Sequence, residues 1–332
     1  MPERLRALEA WLTTSVGLTG FTVEPASADA SFRRYFRVSV SGDGSYIAMD
    51  APPEKEDCGP FVTLARGLGA LGVHVPHIHA EDLEQGFLLL EDFGSTHYLD
   101  VLDEDSAERL YADALDSLAI IQASGPRDAL PLYDEAMLRR EMGLFPDWLL
   151  TRQLGMTLEP AEQQVLEDAF TVLVANALEQ PQVFVHRDYH SRNLLVTSSR
   201  NPGVLDFQDA VVGPVTYDLA SLLRDCYISW PEEQVERWAM GYFAMAVASG
   251  ILHQEHERDF IRWFDLMGMQ RHLKASGIFA RLNRRDGKPG YLKDIPRTLG
   301  YVVEVAGRYA ELGPLGELLE SRVMEPVSRF SG

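Results

Sequence analysis

The chain has 332 residues, 46% hydrophobic and 24% charged, with 50 acids against 30 bases and a net charge of −20. That length is too great for one small core and suits two lobes. No apolar run approaches the ~20 residues of a membrane span, and the acidic balance argues against broad binding to polyanions such as nucleic acid while leaving room for a local phosphate site. The N-terminal MPERLRALEAWLTTSVG lacks the basic start and apolar centre of a signal peptide. Cys58 and Cys226 stand far apart without metal-ligand spacing. A cytoplasmic protein with no obligate protein partner is therefore expected.

In chain order, residues 3–17 place Leu5, Leu8, Trp11 and Leu12 on one helical stripe. Phe21–Val23 and the run ending at Val38 read as strands, separated by the small and polar stretch Ala26–Ser31. Tyr46–Asp50 reads as a third strand. Residues 57–71 form a short helix with Phe61, Leu64, Leu68 and Leu71 toward a core. Pro76–Ala80 and Phe87–Leu90 read as a strand pair, and Leu88–Gly94 as the connection between lobes. From about residue 97 the spacing is mostly helical, over 105–123 and 159–180, with Ser106 as a cap and Glu108 in the first turn. Arg139, Arg140 and Glu141, ahead of Phe145-Pro146-Asp147-Trp148, read as a solvated helix face in preference to an acidic and aromatic lining of a substrate cleft. Gly213–Pro214 is a turn, and Tyr217–Ala220 opens a helix with Asp218 where free N–H groups favour a carboxylate. Further helices are expected over 232–249, 254–275, 295–309 and 314–322, with a basic loop from Arg281 to Gly290.

The stretch 183–209, VFVHRDYHSRNLLVTSSRNPGVLDFQD, organises the rest. Its pattern is strand, loop, strand, turn, strand, with Asp188, Asn193 and Asp206 beside the apolar runs. Phosphoryl transfer from a metal–nucleotide complex needs one carboxylate to position a hydroxyl and take its proton. It also needs an amide and a carboxylate to hold the metal. The offset of five from Asp188 to Asn193 is that of the kinase catalytic loop H-R-D-x-x-x-x-N. In that light Ser31, Arg33 and Arg34 are candidates to meet nucleotide phosphates, although an ordinary hairpin with surface arginines fits the residue types equally. Glu91 and Phe93 fall where an adenine edge would meet the backbone. The string Asp92-Phe93-Gly94 precedes the catalytic loop and so does not count as a metal-binding DFG. Asp206-Phe207-Gln208 stands in that place. Met49 or Asp50 occupies the strand position where protein kinases carry a phosphate-pairing lysine.

The order His-x-Asp-x4-Asn, strand-borne Asp, then Gly-x4-Asp-Leu-Ala resembles the aminoglycoside phosphotransferase and choline kinase superfamily, small-molecule kinases of protein-kinase fold. The segments 29–38, 49–58, 186–195, 203–231 and 270–297 are similar to one branch, the anomeric amino-sugar kinases of bacterial cell-wall recycling, and the absent strand lysine is part of that branch's pattern. The resemblance implies an α+β, protein-kinase-like two-lobed fold, with a small antiparallel-sheet lobe over 1–94 and a mostly helical lobe over 95–332. It implies ATP as co-substrate with Mg²⁺ at Asn193 and Asp206, and Asp188 as the catalytic base. Asp209 is assigned to substrate or structure, and His186 and Asp218 to support of the loop. The acceptor it implies is the C1 hydroxyl of N-acetylmuramate or N-acetylglucosamine. Seven Lys or Arg and one acid lie between Met267 and Lys293. Arg271, His272 and Lys274, or Arg281 and Arg284 after them, are thus candidates to pair with a substrate carboxylate, with a basic surface patch fitting any single one of them equally. Arg224, His190 and Tyr227 flank the catalytic segment as further sugar candidates. Two other readings stay open: a kinase for a cationic small molecule, and a nucleotide-binding protein without catalysis.

Overall fold

A computed structural model describes residues 2–28, 32–42, 44–128 and 130–331. They divide into two compact units: residues up to Val101 together with Arg192–Asp209, and Leu102–Ser191 together with the chain from Ala210 onward.

The first unit is built on an antiparallel sheet of five strands, β1 (Phe21–Ala28), β2 (Arg34–Val40), β3 (Gly44–Asp50), β4 (Ile78–Asp82) and β5 (Phe87–Glu91), in the order β1-β2-β3-β5-β4. Helix α1 (Pro2–Thr14) lays Leu8, Trp11 and Leu12 on the sheet, against Phe36, Val38, Ala48, Phe87 and Leu89. Alternate residues of β2 point inward, the period-two pattern of a half-covered strand. β5 is buried along Phe87–Leu90 because it lies between two neighbours. The register sets Arg34 opposite Asp50, so the acid that stands near the missing lysine meets a cross-strand arginine. Asp50 is fully buried and also receives Arg4 at 2.6 Å. Helix α2 (Gly59–Ala70) stacks Phe61 on Phe207 with centroids 5.0 Å apart. The one-turn helix α3 (Tyr98–Val101) and the short pair β7 (Leu194–Leu195) and β8 (Gly203–Val204) complete this unit.

The second unit is mainly helical. Its elements are α4 (Ala107–Ser124), α5 (Glu135–Met142), a wide π-type turn over Phe145–Gln153, α6 (Pro160–Glu179), the strand pair β6 (Gln182–Val185) and β9 (Val211–Pro214), α7 (Tyr217–Leu223), α8 (Glu232–Ala248), α9 (Glu257–Asp286), α10 (Ile295–Ala306), α11 (Gly313–Leu318) and α12 (Met324–Ser328). Helix α9 is the axis. It has 30 residues and packs on α6, α7, α10 and the π-type turn, which buries it nearly all round. At Gly277 a Cβ would come within 2.3 Å of the Leu144 carbonyl carbon, so glycine permits that close approach. No described helix is long and apolar enough to cross a membrane.

Three local expectations change. The segment Arg281–Asp286 is helical rather than loop, because Leu282 continues the buried face and the left-handed stop comes only at Gly287, φ 64°. Ser106 does not cap α4 with its side chain. Its hydroxyl accepts the N–H of Asp103 at 2.9 Å, and the Asp103 carboxylate accepts the N–H groups of Asp105 and Ser106. Glu141 is buried rather than solvated: it shares the inward stripe of α5 with Leu138 and Met142.

Candidate active site

The catalytic segment is shared between the units. His186–Ser191 belongs to the second and Arg192–Asp209 to the first. Strand β6 delivers His186 and Asp188, and two backbone groups fix the loop at its end. The carboxylate of Asp218 accepts the N–H of His186 at 2.6 Å and of Arg187 at 2.9 Å. Arg187 sits at φ 77°, in the left-handed region that non-glycine residues rarely adopt. Such strain persists only where surroundings over-determine it, and this brace is one such determinant. Burial pushes the Asp218 carboxyl up to about 6, against the partial offset of His186 and the two N–H groups.

Around Asp188 stands a cluster of opposite charges. Burial opposes its ionisation, but Lys274, His190, Arg271 and Arg187 hold its carboxyl below the usual range. His190 is itself held down to about 4, chiefly by burial, so at neutral pH the positive charge comes from Lys274, Arg271 and Arg187. Two of these cations are fixed by Glu141, which accepts from Lys274 at 3.1 Å and from Arg187 and the Tyr133 hydroxyl. Lys274 also donates to the Tyr217 hydroxyl at 2.9 Å. Burial disfavours the charge on Glu141, yet Lys274, Arg187 and Tyr133 keep its carboxyl low. The result is an ionised aspartate with a positive rear wall, suited to accept a proton from a neutral hydroxyl.

In the first unit the chain past β8 brings Asn193 and Asp206 together, Nδ2 to Oδ2 at 3.4 Å. Asp206 stands at φ 65° with 40% of its side chain exposed. Gln208 donates to it at 2.7 Å, and Arg33 lies 3.9 Å away. A part-exposed carboxylate with a side-chain amide beside it suits a hard divalent cation, which the amide would meet through its oxygen. Among the described residues no group of three or more His, Cys, Asp or Glu forms a metal cage, and a cation carried on phosphates does not need one. Arg33 directs Nη2 toward Asp206 and so places a positive charge beside it.

The same unit holds a cleft of about 300 Å³ lined by Ile47, Leu90, Glu91, Phe93, Asn193 and Asp206, among others. The sequence-predicted link residues Glu91 and Phe93 thus share one cleft with both expected metal ligands. His74 orders this wall: its ring packs on Phe93 with centroids 4.4 Å apart, and Nε2 lies 3.3 Å from Glu91. Arg34 is committed to Asp50. Ser31 lies outside the described residues.

The sugar candidates separate. His190 and Tyr227 pack edge-on with centroids 5.5 Å apart, and Phe279 continues the aromatic series. Arg271 and Lys274 lie on α9, and both act on the charge of Asp188. Asp209 is exposed at the end of the catalytic segment. Arg224 is 1% exposed and paired with Asp265 at 2.7 Å and Glu232 at 2.6 Å, so its charge is already spent inside the helical unit. The sequence reading missed Glu141 and Arg187. An acid on an otherwise apolar helical stripe was the available signal for Glu141, since buried carboxylates must be paired.

A sheet unit with a nucleotide-sized cleft and a helical unit carrying an ionised loop aspartate define a small-molecule phosphotransferase of protein-kinase fold. Solved structures agree on the fold: choline kinase LicA from Streptococcus pneumoniae superposes with a TM-score of 0.63 over 92% of this chain and 99% of that one at 13% identity. The Plasmodium vivax ethanolamine kinase gives 0.63 over 89% and 87% at 11% identity. The chain belongs to the phosphotransferase enzyme family, whose model matches residues 22–254. Two relatives named N-acetylmuramate/N-acetylglucosamine kinase are similar along nearly their full length. The Pseudomonas aeruginosa protein is 54% identical over 90% of this chain and 87% of its own. The Pseudomonas putida protein is 50% identical over 96% and 97%.

Proposed function

We propose that this protein uses ATP to phosphorylate the C1 hydroxyl of N-acetylmuramate and N-acetylglucosamine, returning cell-wall sugars to use in the cytoplasm. The observation that carries the reading is the half-identity to two kinases of that name along nearly the whole chain, joined to an intact Asp188, Asn193 and Asp206. The setting of Asp188 supports it further, because three nearby cations, Lys274, Arg271 and Arg187, suit a neutral or acidic acceptor and disfavour an aminoglycoside or choline.

In this mechanism Asp188 orients the C1 hydroxyl and takes its proton as that oxygen bonds to the γ-phosphorus of ATP, while the bond from the γ-phosphorus to the bridging oxygen breaks and ADP leaves. A hemiacetal hydroxyl is more acidic than an ordinary alcohol, so a carboxylate is a sufficient base. Glu141 keeps Lys274 and Arg187 in place, and Asp218 holds the loop in its left-handed turn. Asn193 and Asp206 would hold Mg²⁺, which when bound neutralises charge on the nucleotide phosphates. Arg33 adds charge beside Asp206, and Glu91 and Phe93 meet the base of the nucleotide. Most of the acceleration then comes from positioning and fixed charge.

The test is the position of the phosphate. Incubation with N-acetylmuramate and ATP is expected to give an acid-labile 1-phosphate. An acid-stable 6-phosphate would overturn the anomeric assignment. Asp188→Asn is expected to lower kcat by about a thousandfold or more, given what general-base catalysis and positioning together supply, with ATP affinity nearly unchanged in titration calorimetry.

A further inference from the structure

The basic residues of α9 and its surroundings are mostly spent. Lys274 is bound to Glu141. Arg284 donates to the side chain and carbonyl of Gln153, and Arg285 pairs with Asp286. Arg224 is held by Asp265 and Glu232.

Arg271 is different. It is 5% exposed, and its guanidinium makes one hydrogen bond among the described residues, Nη1 to the Cys226 sulfur at 3.4 Å. A thiol is a weak acceptor. No carboxylate of the described residues lies within ion-pairing distance of it. Asp225, next to Cys226 in sequence, spends its oxygens on Ser191 and on the N–H of Tyr227. A guanidinium taken out of water without an anion is costly, and its rigid fork matches a carboxylate in two hydrogen bonds.

A second group in the same place also lacks a partner. His190 is 8% exposed, and its Nδ1 has no hydrogen bond. Its ring rests on Tyr227, and both it and Arg271 act on the charge of Asp188. Arg281, whose Nε is also without a partner, lies ten residues farther along α9, about 15 Å at the helical rise.

We propose that Arg271 receives the lactyl carboxylate of N-acetylmuramate while Asp188 engages C1 of the same ring, so that Arg271 sets the preference between the acidic and the neutral sugar. This rests on the sugar-kinase reading above. The substrate supplies the anion that Arg271 lacks. It also brings a negative charge near Asp188, and Arg271 is the group that offsets it.

The experiment compares kcat/KM for N-acetylmuramate, its methyl ester and N-acetylglucosamine in the natural protein, Arg271→Met and Arg271→Lys. For Arg271→Met the ratio of N-acetylmuramate to N-acetylglucosamine is expected to fall about a hundredfold, as for loss of one partner of a buried charge pair, mainly through KM. Arg271→Lys restores part of that ratio. In the natural protein the ester is expected to lose most of the advantage of the acid, and in Arg271→Met acid and ester become equal. An unchanged ratio in Arg271→Met, both sugars falling together, overturns the proposal. So does an ester as good as the acid in the natural protein, a comparison that stands even if the variant does not fold. If the natural protein phosphorylates neither sugar, the sugar-kinase reading fails first and this assignment with it.

Discussion

Two Asp-Phe pairs in the first unit have opposite fates. Asp92-Phe93 precedes the catalytic loop, and Asp206-Phe207 comes after it. The Asp92 side chain is 3% exposed and saturated: Arg37 donates to both oxygens, at 2.7 and 3.1 Å, Ser45 donates at 2.7 Å, and the Gly94 N–H at 2.9 Å. Arg37 also reaches the Gly94 carbonyl, so Asp92 ties the link after β5 to β2. The Asp206 side chain is 40% exposed, with Gln208 donating to it at 2.7 Å, Asn193 at 3.4 Å and a strained backbone. A carboxylate whose lone pairs are consumed by the protein holds structure. One that keeps 40% of its side chain exposed at a strained position can also reach a ligand.

The comparison breaks most visibly if the two residues are exchanged in importance. Asp206→Asn is expected to lower kcat by roughly a thousandfold or more, the scale of losing a fixed charge at a phosphoryl-transfer centre, with the melting temperature nearly unchanged, because asparagine adopts the left-handed backbone as readily as aspartate. Unfolding of this variant at room temperature would place Asp206 with Asp92 as a structural residue.

Phe93 is tested through its neighbour. A Cβ at Gly203 would lie 2.5 Å from the Phe93 ring. Gly203→Ala therefore displaces a residue that lines the cleft, and overpacking of this kind costs about 1–3 kcal/mol. A several-fold rise in KM for the nucleotide with little change for the sugar is expected from steady-state kinetics. Equal rises for both substrates would argue that the fold, rather than the cleft wall, has given way.

How far these roles could be read from the chain depends on how local they are. Asp188, Asn193 and Asp206 are legible because a loop and hairpin fix their spacing within one short segment. The antiparallel sheet and its link at Glu91 are legible from period-two alternation and a short apolar run. Partner choice is not legible. Arg34 opposite Asp50 follows from a strand register, Arg224 with Asp265 from the packing of α7 on α9, and Glu141 with Arg187 from a contact 46 residues apart in sequence. Charged residues look alike along a chain, whether they end at a ligand or in an internal pair. Burial and register separate them, and both are properties of the folded state.

Asp92→Asn should act on stability rather than catalysis. It removes the charge from a carboxylate that meets a half-exposed arginine, and the loss is expected to be about 1–2 kcal/mol, as for hydrogen bonds to a charged group. A thermal or urea melt measures it, and kcat should stay within about tenfold of the natural protein.

The smallest effect is the most diagnostic, because it reads the charge on Asp92 directly. Burial opposes that charge, but the hydrogen bonds from Arg37, Ser45 and Gly94 outweigh it and hold the carboxyl below its ordinary value. A depressed carboxyl binds its proton more weakly folded than unfolded. Its contribution is therefore fully present above the unfolded value, near 3.9, and is lost as the pH falls through the folded value. The gap in melting temperature between the natural protein and Asp92→Asn should thus be constant from pH 7 to about 5. Below about 4 it should narrow, because protonation turns Asp92 into a near equivalent of asparagine. A gap that stays constant down to the acid transition would mean that the amide fails for reasons of shape. Asp92 would then hold the link by geometry, and the contrast with Asp206 would no longer be one of a buried charge against an exposed one.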